Sequence, residues 1–443
     1  MKITKGFFAF VLCLLAFETE ARFVDVDSFM LDNGLSVYVV ENHKSPIVES
    51  RLYYRVGSLN DGVGKGGVAH LLEHMMFRGT KRIKSDVFNN IVEENGVSNN
   101  AYTTLDHTTY YEFMGVDKLE LMLAIEADRM TNLEMNDEDF LKERDIVLQE
   151  RKQRFETNPS TLFYENLNSL LWLGGMLANP VSGREKEIEN LTINDAYEFY
   201  NKYYGVDNAI LVLAGDINID EAREIVNKHF GKIKAKGIKK EEHKDVLKDV
   251  KSQIKMKLKG VKSPRYAKLI RLDKNSLSKK EQLAVSVLLE YLTGDDTAIV
   301  YDKLVYKDKK FLSINIGASY YEQYGGDIGI SVVVANDEME IDEIGKTIDE
   351  TLVYAIDNLE VKNLDEIKNQ YLSNAIYLAD DLQRVAGFVG GMVVDGYDVK
   401  DIREYDEMIK NISIDDVKNV YRKIFDKKLS YVEGYLEGDD DEN

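Results

Sequence analysis

The residues best placed to do chemistry fall within five positions, His70-Leu71-Leu72-Glu73-His74. At 3.6 residues per turn a helix stacks His70 above His74 and brings Glu73 to the same face, while Ala69, Leu72 and Met76 turn toward a core. Two neutral imidazoles stacked in this way present nitrogens to one cation, and Zn²⁺ needs only one or two ligands more. The order is H-x-x-E-H, the inverted form of the zincin motif. A pattern this short also arises by chance, as two histidines on a partly exposed helix. Two of only six histidines falling at this spacing weigh against chance. A third ligand must come from elsewhere. Asp137 to Arg154 reads as a long helix on which Glu143 and Glu150, two turns apart, share a face.

The elements that must position these groups are legible in outline. Phe29 to Val40 and Ile47 to Val56 read as strands, followed by helices at Val68 to Met76, Ser85 to Glu94 and Lys118 to Met130. Thr192 opens a helix that leads to an apolar strand at Asn208 to Asp216. The same order returns 221 residues later, where Ser413 opens a helix that leads to a strand at Leu429 to Leu436. One repeat at half the chain length means a duplicated domain rather than a solenoid. A charged stretch around Lys234 to Lys244 separates the halves, and Gln253 to Leu258 alternates like a first strand. The reading is a leader at 1–21, a domain at 22–236, a linker at 237–252 and a homologous domain at 253–443. Strands and long helices mix within each half, so the class is α+β.

Composition narrows the function classes. The 443 residues carry a net charge of −21, which repels a nucleic-acid backbone and argues against such a partner. It would suit cationic peptides, although plain solubility explains it as well. The single cysteine, Cys13, excludes a disulfide framework and a cysteine-based zinc ribbon. It sits in an uncharged run, Phe7 to Phe17, preceded by Lys2 and Lys5 and followed by Thr19 and Ala21 at −3/−1 spacing. That is the order of a secretory signal peptide, and the run is far short of the ~20 residues of a membrane span. The mature chain is expected to be exported, periplasmic or secreted, and free of cysteine.

With these motifs in view, the sequence resembles the pitrilysin/insulysin family of zinc peptidases, in the short branch that includes the mitochondrial processing peptidases. In that family a glutamate ligand follows H-x-x-E-H by about 75 residues, and 75 residues lie between His74 and Glu150 here. The resemblance implies one Zn²⁺ per chain, held by His70, His74 and Glu150. It also implies Glu73 as general base, with Glu143 as a supporting carboxylate. Asn100-Ala101-Tyr102-Thr103-Thr104, followed by Thr108-Thr109-Tyr110-Tyr111, is similar to the family's edge strand beside the zinc. Asn100 and Ala101 would then bind substrate main chain; without the family the stretch is a Thr/Tyr-rich hairpin, with His107 a surface residue in its turn. The implied fold is two homologous α+β domains closing as a clamshell, the LuxS/MPP-like metallopeptidase arrangement. A small-residue helix around Gly387, Gly390, Gly391 and Gly396 belongs to the second half.

One departure stands out. Many members carry an Arg and a Tyr, seven apart, in the second half to hold the substrate carbonyl; Val305 and Leu312 fall at those positions. The expected function is therefore a zinc endopeptidase acting on peptides or unfolded segments in an enclosed chamber. The alternative is a non-catalytic, peptide-binding subunit of a processing-peptidase-like complex. The missing clamp suggests a dimer, preferably a heterodimer with a metal-free relative that carries Arg and Tyr. Tyr301 or Tyr306 could instead replace it within one chain.

Overall fold

The computed structural model describes residues 24–239, 247–321, 324–335 and 339–439. The expected leader, with Cys13, and part of the linker lie outside the described residues. Two mixed sheets organise the chain. The first contains β1 (Asp27–Met30), β2 (Ser36–Glu41), β3 (Ile47–Tyr54), β4 (Ser98–Thr103), β5 (Thr108–Gly115) and β6 (Ala209–Gly215). Its order is β1-β2-β6-β3-β5-β4. The second contains β7 (Lys251–Leu258), β8 (Arg265–Leu272), β9 (Phe311–Tyr321), β10 (Gly325–Val334) and β11 (Tyr431–Gly438), in the order β7-β11-β8-β10-β9.

Duplication is written into this topology. β2 pairs with β6 in parallel and β7 pairs with β11 in parallel, while the other neighbours in each sheet are antiparallel. Dropping β1 makes the two orders superimposable. The repeated helices run Ile193–Tyr203 and Ile414–Ile424, each opened by a reciprocal cap between side chain and backbone at Thr192 and Ser413. The expected single strand from Phe29 to Val40 is instead the hairpin β1–β2. Gly34, at φ 95°, supplies the left-handed residue that turns the chain there.

β6 is buried along its whole length and shows no alternation, because it is covered on both faces. Leu211 and Leu213 join the first half's own core, whereas Ile210, Val212 and Ala214 meet Val385, Val389 and Met392 of the Leu382–Val394 helix. That helix comes from the second half. The Ser160–Leu171 helix of the first half makes the reciprocal crossing, packing Phe163, Leu167 and Leu171 on Ala267, Val432 and Leu436. Small residues permit both approaches. A Cβ on Gly390 would lie 2.3 Å from the Tyr53 ring, and one on Gly434 would lie 2.6 Å from Phe163. The glycines of the second-half helix thus seat it on β3, and each half carries a helix of the other.

Candidate metal centre

The metal helix, Val68–Met75, buries Val68, Ala69, Leu71, Leu72 and Met75 in the first core. The remaining face carries the chemistry. His70 and His74 side chains are 15% and 17% exposed, with ring centroids 4.9 Å apart and nearly perpendicular. The long helix, Asp137–Thr157, packs against this face and brings Glu150 to it. Glu150 Oε2 lies 3.9 Å from His70 Nε2 and 3.7 Å from His74 Nε2. One donor atom from each of the three falls within 4.8 Å of the others. Tetrahedral zinc, with bonds near 2.0–2.1 Å, separates its donors by roughly 3.4 Å, so small adjustments would close the set on an ion.

The surroundings prepare these donors for a cation. Burial, helped by His74 and then Arg154, pushes His70 down to about 3, so its imidazole stays neutral and keeps a lone pair. His74 Nδ1–H donates to Glu143 Oε2 at 2.9 Å, which fixes the tautomer and leaves Nε2 for a metal. Glu143 is buried, and Arg78 Nη2 donates to its other oxygen. Among the described residues Nδ1 of His70 is buried without a hydrogen-bond partner, so this imidazole lacks the orienting bond that His74 has. Two imidazoles, one of them oriented through Nδ1, and one carboxylate fit a zinc ion.

Glu73 is 8% exposed in the same cleft of about 460 Å³, and Thr103 Oγ1–H donates to its Oε2 at 2.5 Å. Burial raises its carboxyl above the ordinary value, against the lowering pull of Thr103 and His74. Asn100 also lines this cleft, as do Ser85 and Asn89 across from it. Asn100 and Ala101 lie on β4, which is an edge strand, so one side of it is open to an added strand. The Ala101 N–H is engaged by Asn100 Oδ1 at 2.8 Å. His107 is not a surface residue: its side chain is 15% exposed, paired with Asp106 at 2.8 Å and set against Tyr53 and Tyr102.

Several supporting residues carry no signal in the motif. Thr103 reaches Glu73 from thirty residues further along the chain, whereas Arg78 and Asp61 flank the helix just outside the motif. Asp61 accepts from the backbone of Gly67 and Ala69 at the start of the metal helix. An acid just ahead of a Gly-rich turn and a helix is the one hint of such a cap, and a weak one. Val305 packs on the second core, and Leu312 lies 56% exposed on β9. Among the described residues, those lining the His70 cleft all come from the first half.

Comparison with known proteins gives the family. A family model described as insulinase, peptidase family M16, matches residues 36–185, and one described as the peptidase M16 inactive domain matches residues 190–371. Zinc protease PqqE of Helicobacter pylori is 27% identical over 406 residues, 90% of each chain. Subunit 1 of the mitochondrial cytochrome b-c1 complex of Bos taurus is 28% identical over 200 residues, 45% of this chain and 41% of that one. The crystal structure of a protease from Helicobacter pylori superposes with a TM-score of 0.84 at 24% identity, covering 94% of this chain and 100% of that one. The periplasmic protease PqqL from Escherichia coli superposes with a TM-score of 0.79 at 18% identity, covering 94% of this chain and 48% of that one. The two matched family models, over an α+β fold with two mixed sheets and a His/His/Glu cluster, make this chain a member of the insulinase family of peptidases, family M16.

Proposed function

We propose that the chain is a zinc-dependent endopeptidase that hydrolyses peptides or unfolded protein segments. The carrying observation is the convergence of His70, His74 and Glu150 donors in the cleft that also holds Glu73. His70, His74 and Glu150 would hold Zn²⁺, with Glu143 orienting His74 through Nδ1. Bound zinc supplies Lewis acidity, making water a nucleophile near neutral pH and polarising the scissile carbonyl. Glu73 accepts the attacking water's proton on the oxygen that Thr103 does not occupy, then delivers it to the leaving amine nitrogen. The open edge of β4 receives the substrate as an extended strand, so main-chain bonds fix the peptide with little demand on sequence, and Asn100 and Ala101 sit where that strand would lie.

The domains are assigned to 22–236 and 253–443, joined by 237–252, after removal of a leader at 1–21 that exports the chain to the periplasm or beyond. No helix among the described residues is long and apolar enough to cross a membrane. The second half closes over the peptide without the Arg/Tyr pair, since Val305 and Leu312 have no polar side-chain atom to offer. A heterodimer with a metal-free relative that supplies that pair follows as the working assembly. Metal analysis of the purified chain, with a quenched-peptide assay before and after chelation, tests the reading. One zinc per chain and chelator-sensitive cleavage are expected. Zinc binding without cleavage, alone or with such a relative, would point to the peptide-binding subunit instead.

A further inference from the structure

We propose that Thr103 is a positioning residue for hydrolysis: its hydroxyl, on the strand that would receive the peptide, holds Glu73 in the orientation that accepts the water's proton. The inference rests on the peptidase reading of the cleft and extends it by tying the base to the substrate strand.

A carboxylate at the end of a glutamate side chain turns easily, because its terminal torsion is broad and roughly two-fold. Glu73 is 8% exposed, and the bond from Thr103 to Oε2 is the one side-chain hydrogen bond it makes among the described residues. Oε1 is thereby left as the basic atom. The hold is useful only if Thr103 is itself fixed, and the structure fixes it tightly. Thr103 is the last residue of β4 and pairs with Thr108. The turn that follows is closed by Thr104 N–H donating to the His107 carbonyl at 2.8 Å and His107 N–H donating to Thr104 Oγ1 at 3.0 Å. From outside, Ser58 N–H donates to the Thr104 carbonyl at 3.1 Å, and Leu59 N–H donates to the Leu105 carbonyl at 2.8 Å. Gly57 lets those backbones meet, since a Cβ there would lie 2.5 Å from the Thr104 carbonyl oxygen. The turn, Thr103 and Glu73 form one chain of contacts, and a peptide added along β4 stiffens the strand that carries its middle link.

Two substitutions separate this role from packing. Thr103→Val keeps the β-branch and the volume without the hydroxyl, whereas Thr103→Ser keeps the hydroxyl. Zinc content, kcat and KM on a quenched peptide are measured for both, and Thr103→Val is rebuilt on Glu73→Ala. Thr103→Val should keep its zinc and a KM within about twofold while losing kcat by about 10- to 100-fold, the scale of a misplaced reacting group. Thr103→Ser should recover kcat to within about threefold, and on Glu73→Ala the valine should not lower the residual rate further. Melting temperatures of the chelated proteins read the same link without turnover: the shifts of Thr103→Val and Glu73→Ala should be non-additive. Full kcat in Thr103→Val, equal losses in both single variants, additive melting shifts, or a further loss on Glu73→Ala would each overturn the role. A wild-type chain without chelator-sensitive cleavage would remove the peptidase reading itself, and this role with it.

Discussion

Replacing Asp61 by alanine should loosen the metal helix at its first turn without touching a ligand. The helix has no cap of its own, because its N-cap is Gly67 at φ 89°. Asp61, 5% exposed, takes that place from six residues upstream, accepting from Gly67 N–H at 2.7 Å and from Ala69 N–H at 3.0 Å. Each buried amide left without a partner costs about 1–3 kcal/mol, so both together cost about 2–6 kcal/mol, with about 4 as the central figure. At roughly 2–4 °C per kcal/mol for a unit the size of one half, the melting temperature of the chelated protein should fall by about 8–16 °C. Chelation matters, since a bound metal would add its own stabilisation. Burial, with a smaller push from Glu187, raises Asp61 from 3.8 to about 8. The folded state therefore holds a proton that the unfolded chain releases near 3.8. The contribution is full below that value and is lost as pH rises toward about 8. Asp61→Asn cannot titrate and should flatten that part of the stability–pH curve. A melting temperature of Asp61→Ala within about 2 °C of wild type, or an Asp61→Asn curve as steep as wild type, would refute the argument.

Other outcomes follow from the same geometry. Glu150→Gln should lose zinc, because a neutral amide replaces the anionic ligand of a three-residue set, whereas Glu143→Gln should weaken binding only about 10- to 100-fold; metal titration distinguishes the two. Gly390→Ala forces a methyl group to 2.3 Å from the Tyr53 ring and should destabilise the junction between the halves by about 1–3 kcal/mol, seen in denaturant unfolding, with zinc affinity unchanged. Mass in solution and turnover of the chain alone test the assembly: weak activity that rises when an Arg/Tyr-bearing relative is added is expected, and a fully active monomer would exclude it.

How far the sequence spoke depended on the distance over which each residue acts. The metal helix was readable because its apolar positions and its chemistry alternate at 3.6-residue spacing, and it runs Val68–Met75 as that spacing implies. Thr192 and Ser413 announced their helices for a similarly local reason, since a cap bonds within three residues. Phe29 to Val40 reads as one strand only when the apolar residues on either side outweigh Asp32-Asn33-Gly34, and these three turn-forming residues are where the chain reverses. The crossing of Ser160–Leu171 and Leu382–Val394 could not be read at all. An apolar helix face shows that it is buried, not which sheet covers it. Thr103 and Asp61 stand inside or beside the motif segments, yet their roles depend on backbone and carboxylate partners that only tertiary folding supplies.

The account stands most directly on Glu73→Gln, measured for zinc content and peptide turnover in the same sample. Glu73 is outside the His70, His74 and Glu150 group that could hold a metal, so the variant should carry as much zinc as wild type. Without the proton acceptor its turnover should fall by about 10² to 10⁴. A zinc-loaded Glu73→Gln that cleaves peptide at close to the wild-type rate would contradict the assignment of Glu73 as the base and the mechanism built on it.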